Sequence, residues 1–367
     1  MFLKEEHLID NRIMDKIRIN MLSAATTVDG QGVGSAYIEQ VKLVKECDDI
    51  FEVEENSRSS KFHIYHMHTV NPKYRMRFNK KHINIAYVHF IPSTLDGSLK
   101  MPKPIFAIFK RYVIGTYRSA DEIVVVNPSF IPPLKELGIK EENVTYIPNF
   151  VDHEVFYEYT DEERMKVRDE YSIPHDKFVV MGCGQVQTRK GVLDFVEVAK
   201  RNPDKMFVWA GGFSFGAMTD GYKELKAIME NPPENVKFIG IIPRTKMNDI
   251  FNMCDMLFMP SLSELFPMSI LEAVNSRKPV LLRDLDLYEE ILFKDKDAYA
   301  IGKNVDEFDE QVKKLASDKK YYAHYQEGSK LISDFYSKEH VKNLWREYYT
   351  RIYNKYKENP KKKLKLK

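Results

Sequence analysis

Through the first half of the chain, short apolar runs alternate with longer amphipathic stretches. IRINML (17–22), FHIYHM (62–67), INIAYVH (83–89), EIVVV (122–126) and VTYI (144–147) read as buried strands. Helical spacing lies between several of them, notably over 35–46 and 104–119. A second series opens with FVVMG (178–182) and continues through MFVWAGG (206–212), VKFIG (236–240), MLFMP (256–260) and PVLL (279–282). Its helices are expected near 191–200, 246–253 and 267–276. Strand–helix alternation of this kind implies an α/β protein, with parallel sheets covered by helices on both faces. The polar stretch from Asp152 to Lys177 reads as the linker between two halves. A last pattern over about 337–356 places Leu344, Tyr348, Ile352 and Tyr356 at spacings of four. It is too polar to found a core and is expected to pack back across the surface. The expected organisation is a first domain over 1–165, a second over 166–336, a C-terminal helix over 337–357 and a basic tail over 358–367.

Length and composition agree with two globular domains: 367 residues, 43% hydrophobic and 30% charged. No apolar run approaches the roughly 20 residues of a membrane-spanning helix. The opening MFLKEEHLIDNRIMDK lacks the basic-then-apolar pattern of a secretory signal, so a cytoplasmic protein is expected. Cys47, Cys183 and Cys254 are odd in number and far apart, which favours reduced thiols.

Glycines gather at strand ends: Gly30, Gly32 and Gly34 after the first strand, Gly182 and Gly184, then Gly211 and Gly212. Ligands of parallel sheets bind beyond the strand C-termini, where a missing Cβ lets backbone N–H groups approach a phosphate or sugar. Tight turns alone would also use glycine there. NAD is not expected, because GQGVG lacks the G-x-G-x-x-G spacing and the second strand ends in His66-Met67-His68 rather than an acid. In GQVQTRKG, Arg189 and Lys190 precede Gly191 and a helix, two cations suited to a diphosphate. In PSLSELFPMSILEA, Glu264 and Glu272 bracket seven residues, and Pro267 suits a helix first turn whose amides at Met268 and Ser269 can face a phosphate. Surface acids are the plainer alternative for both glutamates, but each is flanked by apolar, core-like residues.

The order of GQGVGS, YVHF, ADEIVVVNPSF, VTYIPNFVD, GQVQTRKG, MCDMLFMPS and ELFPMSILEAV resembles the retaining glycosyltransferases of family 4, over nearly the whole chain. That resemblance implies the GT-B fold, in which two Rossmann-like, doubly wound domains face each other across a cleft. It implies that Lys190 and Arg189 bind the donor diphosphate, that Glu264 contacts the transferred sugar and that Glu272 holds the ribose. It further implies that the backbone after Glu264, through Leu265, Phe266, Pro267 and Met268, lies on phosphate. Gly32, Gly34 and Gly184 would lie against the donor, and His89 near the reacting sugar, where it either orients groups or accepts a proton. Departures from the family pattern are Gln185, Leu265 and Arg277, at positions often held by Arg, Gly and Gly. Retention of configuration follows from the resemblance, with the main task being to stabilise the departing nucleoside diphosphate. No metal or other cofactor is expected. His66 with His68, and Asp284 with Asp286, could each be read as metal ligands, yet neither pair has a third ligand nearby in sequence.

Net charge is only +2, but Lys73, Arg75, Arg77, Lys80, Lys81, Lys100, Lys103, Lys110, Arg111 and Arg118 face a single acid, Asp96, within 73–118. Ile105, Ile108, Phe109, Tyr112 and Val113 recur there at helical spacing, and Phe106 and Phe109 join the cations as candidate membrane contacts. Two readings stay open: an amphipathic helix packed on its own sheet, or one lying on an anionic membrane. Six further lysines in the tail, from Lys357 to Lys367, oppose Glu358. GQGVGSAYIEQVKLVKE, GQVQTRKG and LLRDLDLYEEIL are similar to Gram-positive enzymes that add a second hexose to glucosyl-diacylglycerol. The expected partners are therefore UDP-galactose or UDP-glucose, a membrane glycolipid acceptor and the inner face of the plasma membrane. Transfer to a polysaccharide, or nucleotide-sugar binding without catalysis, are the alternatives. Nucleic acid is not expected, because the aromatic-interleaved pattern of base stacking is missing from the basic stretches.

Overall fold

The computed structural model describes residues 16–24, 32–92, 102–213, 216, 219–264, 266, 268–289, 291–293 and 296–359. Its first sheet contains β1 (Ile17–Leu22), β2 (Phe51–Glu55), β3 (Ile64–Met67), β4 (Ile83–Val88), β5 (Glu122–Val125) and β6 (Val144–Tyr146), in the order β2-β1-β3-β4-β5-β6. Helices α1 (Gly32–Lys45), α2 (Pro72–Arg75), α3 (Lys103–Arg118) and α4 (Ile131–Glu136) accompany it. The second sheet contains β7 (Val179–Cys183), β8 (Met206–Ala210), β9 (Val236–Gly240), β10 (Met256–Met259), β11 (Val280–Arg283) and β12 (Ala300–Gly302), in the order β12-β11-β10-β7-β8-β9. Around it lie α5 (Asp161–Glu170), α6 (Val192–Lys200), α7 (Tyr222–Glu230), α8 (Met247–Met253), α9 (Met268–Asn275), α10 (Val305–Ser317), α11 (Lys319–Phe335) and α12 (Lys338–Lys357).

Strand pairs within both sheets are parallel. The strand order reverses between β1 and β3 in the first sheet and between β7 and β10 in the second. At each reversal the neighbouring crossovers leave on opposite faces, which opens a crevice beyond the strand C-termini.

The stretch expected to be a linker is more structured than its polarity suggested. Within it, Thr160 and Glu163 form a capping box that starts α5. The buried Arg168 donates to the Met253 carbonyl at 2.8 Å and to Asp255 at 2.9 Å, which ties α5 to the second lobe. Phe150 belongs to the first core and Val151 to the second, so the hand-over comes ahead of residue 165, which itself lies inside α5.

Helix α12 returns to the first lobe. Its Val341, Trp345, Tyr348, Tyr349, Ile352 and Tyr356 are part of the first hydrophobic core. The Tyr349 hydroxyl lies 2.7 Å from His66 Nδ1, and Trp345 meets Tyr87 edge-on at 5.6 Å. Near the far end, Lys355 and Tyr356 both donate to the buried Glu122 carboxylate, at 2.6 and 2.9 Å. Truncating Trp345 to Ala removes the centre of this contact, and urea unfolding should report a loss of about 3–5 kcal/mol. A stability within 1 kcal/mol (about the spread of surface substitutions) would show that α12 is only loosely attached.

Candidate active site

The crevice of the second sheet is built by the loops leaving β7 and β10. After β7 the chain makes a tight turn over Thr188–Lys190 and enters α6 through Gly191, whose φ is +69°. A Cβ at Gly191 would lie 2.3 Å from the Pro260 carbonyl oxygen, so glycine alone lets the two loops touch. The Leu262 amide donates to the Arg189 carbonyl at 2.8 Å and fastens them together. At Gly211, beyond β8, the backbone passes so close to Gly184 that a Cβ would sit 1.8 Å from the Gly184 oxygen.

This contact sets the charged groups. Lys190 Nζ donates to Glu264 Oε1 at 2.5 Å, and Arg189 donates to the Ser263 carbonyl at 2.6 Å while lying 3.7 Å from Glu264 Oε2. The Glu264 side chain is 5% exposed. Burying a carboxylate to this extent is costly without paired, hydrogen-bonding cations. Phe266 packs against both the first and the second core, and Met268 opens α9. Leu265 and Pro267 lie outside the described residues, as does the loop that carries Gly30.

Glu272 sits one turn inside α9 and is buried. Burial raises its pKa and Arg244 opposes that rise. Arg244 Nη1 donates to Glu272 Oε1 at 2.8 Å, while Nη2 donates to Glu39 of α1 in the first lobe. Neither Arg244 nor Glu39 is legible as a site residue from sequence, since 205 positions separate them and no local motif marks either. Burial outweighs Arg244 at Glu39 and moves its pKa up to about 7.

On the first lobe, Gly32 and Gly34 lie in the first turn of α1, beyond β1 at the reversal of strand order. His89 follows β4 and is buried, with Nε2 lacking a partner. Burial lowers its pKa to about 4, so at pH 7 the ring is neutral. A base this weak is suited to orienting a hydroxyl rather than to taking its proton outright. His66 and His68 are buried. Their rings lie 4.3 Å apart among Tyr37, Tyr87, Trp345 and Tyr349, and burial keeps both neutral. Among the described residues no group of three or more His, Cys, Asp or Glu is placed to hold a metal ion.

The basic segment divides in a way its spacing did not foretell. Phe109 and Tyr112 pack against the first core, whereas Ile105 and Ile108 are 53% and 68% exposed. Phe109 is thus partly buried against the core rather than fully outward. Arg75 and Arg77 fold back over the Tyr112 and Tyr65 rings, at 5.3 and 4.9 Å, and Lys110 lies over Phe106 at 4.7 Å. Lys73, Lys80, Lys81 and Arg111 remain exposed; Lys100 and the Lys103 side chain lie outside what is described. Among the described residues no helix is long and apolar enough to cross a membrane.

Residues 163–331 match the family described as glycosyl transferases group 1. Across 94% of this chain and 92% of the relative, 43% of residues are identical to the alpha-galactosylglucosyldiacylglycerol synthase of Streptococcus pneumoniae. The chain belongs to the group 1 glycosyl transferases. A second relative from this comparison, the processive diacylglycerol alpha-glucosyltransferase of Acholeplasma laidlawii, is 26% identical over 77% of this chain and 83% of its own. Among solved structures, Anabaena HepE in complex with UDP and glucose superposes with a TM-score of 0.71 at 16% identity, over 91% of this chain and 99% of that one. Sucrose-phosphate synthase of Thermosynechococcus elongatus gives 0.75 at 12% identity, over 93% and 100%. This glycosyl transferase therefore has the GT-B fold expected from its motifs.

Lys190→Ala removes the nearer cation from Glu264 and from the crevice. Glycosyl transfer should fall by about 10²–10³-fold, with the far-UV circular dichroism unchanged. A parental rate would mean that the Lys190–Glu264 pair serves the fold alone.

Proposed function

We propose that this glycosyl transferase moves galactose or glucose from a UDP-sugar to a glucosyl-diacylglycerol in the membrane, giving a dihexosyl-diacylglycerol with retention of configuration. The observation that carries the reading is the 43% identity to a galactosylglucosyldiacylglycerol synthase over both lobes. Anabaena HepE, which shares the fold, was crystallised with UDP and glucose.

Chemistry at the crevice follows from its charges. Lys190 and Arg189, with the backbone amides at the start of α9, receive the pyrophosphate and stabilise the charge it gains as the bond to the anomeric carbon breaks. These cations perform the neutralisation in the proposed reaction, so no metal is assigned a step. Glu264 accepts from hydroxyls of the transferred hexose, and Glu272 from those of the ribose. The acceptor hydroxyl oxygen bonds to the anomeric carbon on the face the diphosphate leaves, and its proton passes to the departing phosphate oxygen. The neutral His89 orients the sugar hydroxyls through a hydrogen bond.

The exposed face of α3 supplies the membrane contact. Ile105 and Ile108 point outward beside the exposed Arg111, and α2, with the 79%-exposed Met76, docks on α3 through Arg75. An apolar anchor flanked by cations binds an anionic interface at about 1 kcal/mol per basic residue, besides the burial of the isoleucines. The protein is thus a peripheral enzyme of the inner leaflet.

Labelled UDP-galactose and UDP-glucose, offered with vesicles containing glucosyl-diacylglycerol, should yield label in the organic phase. Label passed only to soluble glycan, or UDP binding without turnover, would sink the proposal. The pair Ile105→Asp and Ile108→Asp should cut co-sedimentation with anionic vesicles about tenfold or more, while UDP affinity by calorimetry stays parental.

A further inference from the structure

We infer that Arg244 is a positioning residue of the donor site: it fixes Glu272 for the ribose and anchors that end of the site to Glu39 of the first lobe. The inference rests on the proposed role of Glu272. Three features support it. First, one guanidinium joins two carboxylates from opposite lobes, with Nη1 on Glu272 Oε1 at 2.8 Å and Nη2 on Glu39. Second, both carboxylates are largely buried, with side chains 7% and 20% exposed, and the remaining Glu39 oxygen, Oε2, is buried without a partner. Third, the Arg244 guanidinium is held from the other side by the Phe156 ring at 5.4 Å, so its direction is set by the second lobe's own core.

A ribose is neutral and recognises a carboxylate only as an acceptor of its hydroxyl protons. Glu272 must therefore be ionised, in a place where burial favours the acid. Arg244 opposes that tendency while engaging one oxygen, and a carboxylate has lone pairs enough to serve ribose hydroxyls as well. A planar guanidinium can divide its N–H groups between two carboxylates, which an ammonium does poorly. The groups facing the bridge are few. Glu39 meets Arg244, Glu272 and Asp152, while Glu272 meets Arg244, Glu39 and the Cys183 thiol.

Without Arg244, burial leaves Glu272 protonated to a higher pH. Its acceptor capacity should then be missing at low pH and return as pH rises. Steady-state kinetics with the intact enzyme and a UDP-sugar read this directly. For Arg244→Gln, donor KM should be about tenfold above parental near pH 6 and within about threefold near pH 8.5, with kcat changed less. Arg244→Lys keeps the charge and guards against misfolding of the first variant; its KM should rise about threefold without that pH dependence. Glu39→Gln, which weakens only the first-lobe anchor, should raise donor KM by about two- to threefold. A flat or parental KM in Arg244→Gln, while Glu272→Gln raises KM, would overturn the inference and leave the ribose site standing. If Glu272→Gln itself binds donor normally, the proposed ribose role fails and the inference falls with it. A parental KM in Glu39→Gln would refute the anchor to the first lobe.

Discussion

A parallel sheet has one edge at which all its strand C-termini emerge, and the residues of the candidate site gather there. The loops after β7 and β10 deliver Lys190 and Glu264 to the same point because those strands are neighbours at the reversal of order, although 74 residues separate the two side chains. The loop after β9 delivers Arg244, and the segment after β4 delivers His89. The first sheet places Gly32 and Gly34 beyond β1 by the same rule. None of these residues could serve the crevice from the other edge, so strand direction decides the site before any side chain does.

Geometry at that edge also answers an electrostatic problem. Glu264 and Glu272 are both withdrawn from water, and a buried carboxylate without a partner is costly. Each has a dedicated cation: Lys190, with Arg189 further off, for the first and Arg244 for the second. The two pairs differ in what they join. Lys190 and Glu264 belong to one lobe, whereas Arg244 also reaches Glu39 across the crevice. The lobes are joined again by α12, whose first residue, Lys338, bridges Glu46 at 2.8 Å and Asp152 at 3.3 Å. Arg244 therefore ties the lobes beside the candidate site, and the start of α12 ties them where the chain recrosses.

Strands buried on both faces were legible because uninterrupted runs such as VVMG and LFM stand out from their surroundings. Strand β2, FEVEE, escapes the pattern because an edge strand half in water carries acids, and β12, at an edge of the second sheet, is only three residues long. Helices α5, α10 and α11 were passed over for a related reason: their apolar stripes are narrow and their outer faces strongly charged, so composition reads as linker or surface. Of the candidate site, Lys190, Glu264 and Glu272 stand in compact local motifs that mark them in the sequence. Arg244 and Glu39 do not, because their meeting depends on how two separately folded sheets are set against each other, and no spacing along the chain encodes that.

Helix α3 shows how a pattern can be read correctly and still mislead. Its apolar residues do recur at helical spacing, and packing on the sheet accounts for Phe109, Tyr112, Val113 and Tyr117. Single exposed apolar residues are ordinary on a protein surface, whereas neighbouring ones beside a cation form a patch. Ile105 and Ile108 are more than half exposed, near the helix start and beside an exposed arginine. The packing reading accounts for the inward face, and the membrane contact proposed above is assigned to the outward one. The inward face completes the first core, and the outward one leaves two isoleucines exposed near an arginine, on the lobe that does not carry Lys190 and Glu264.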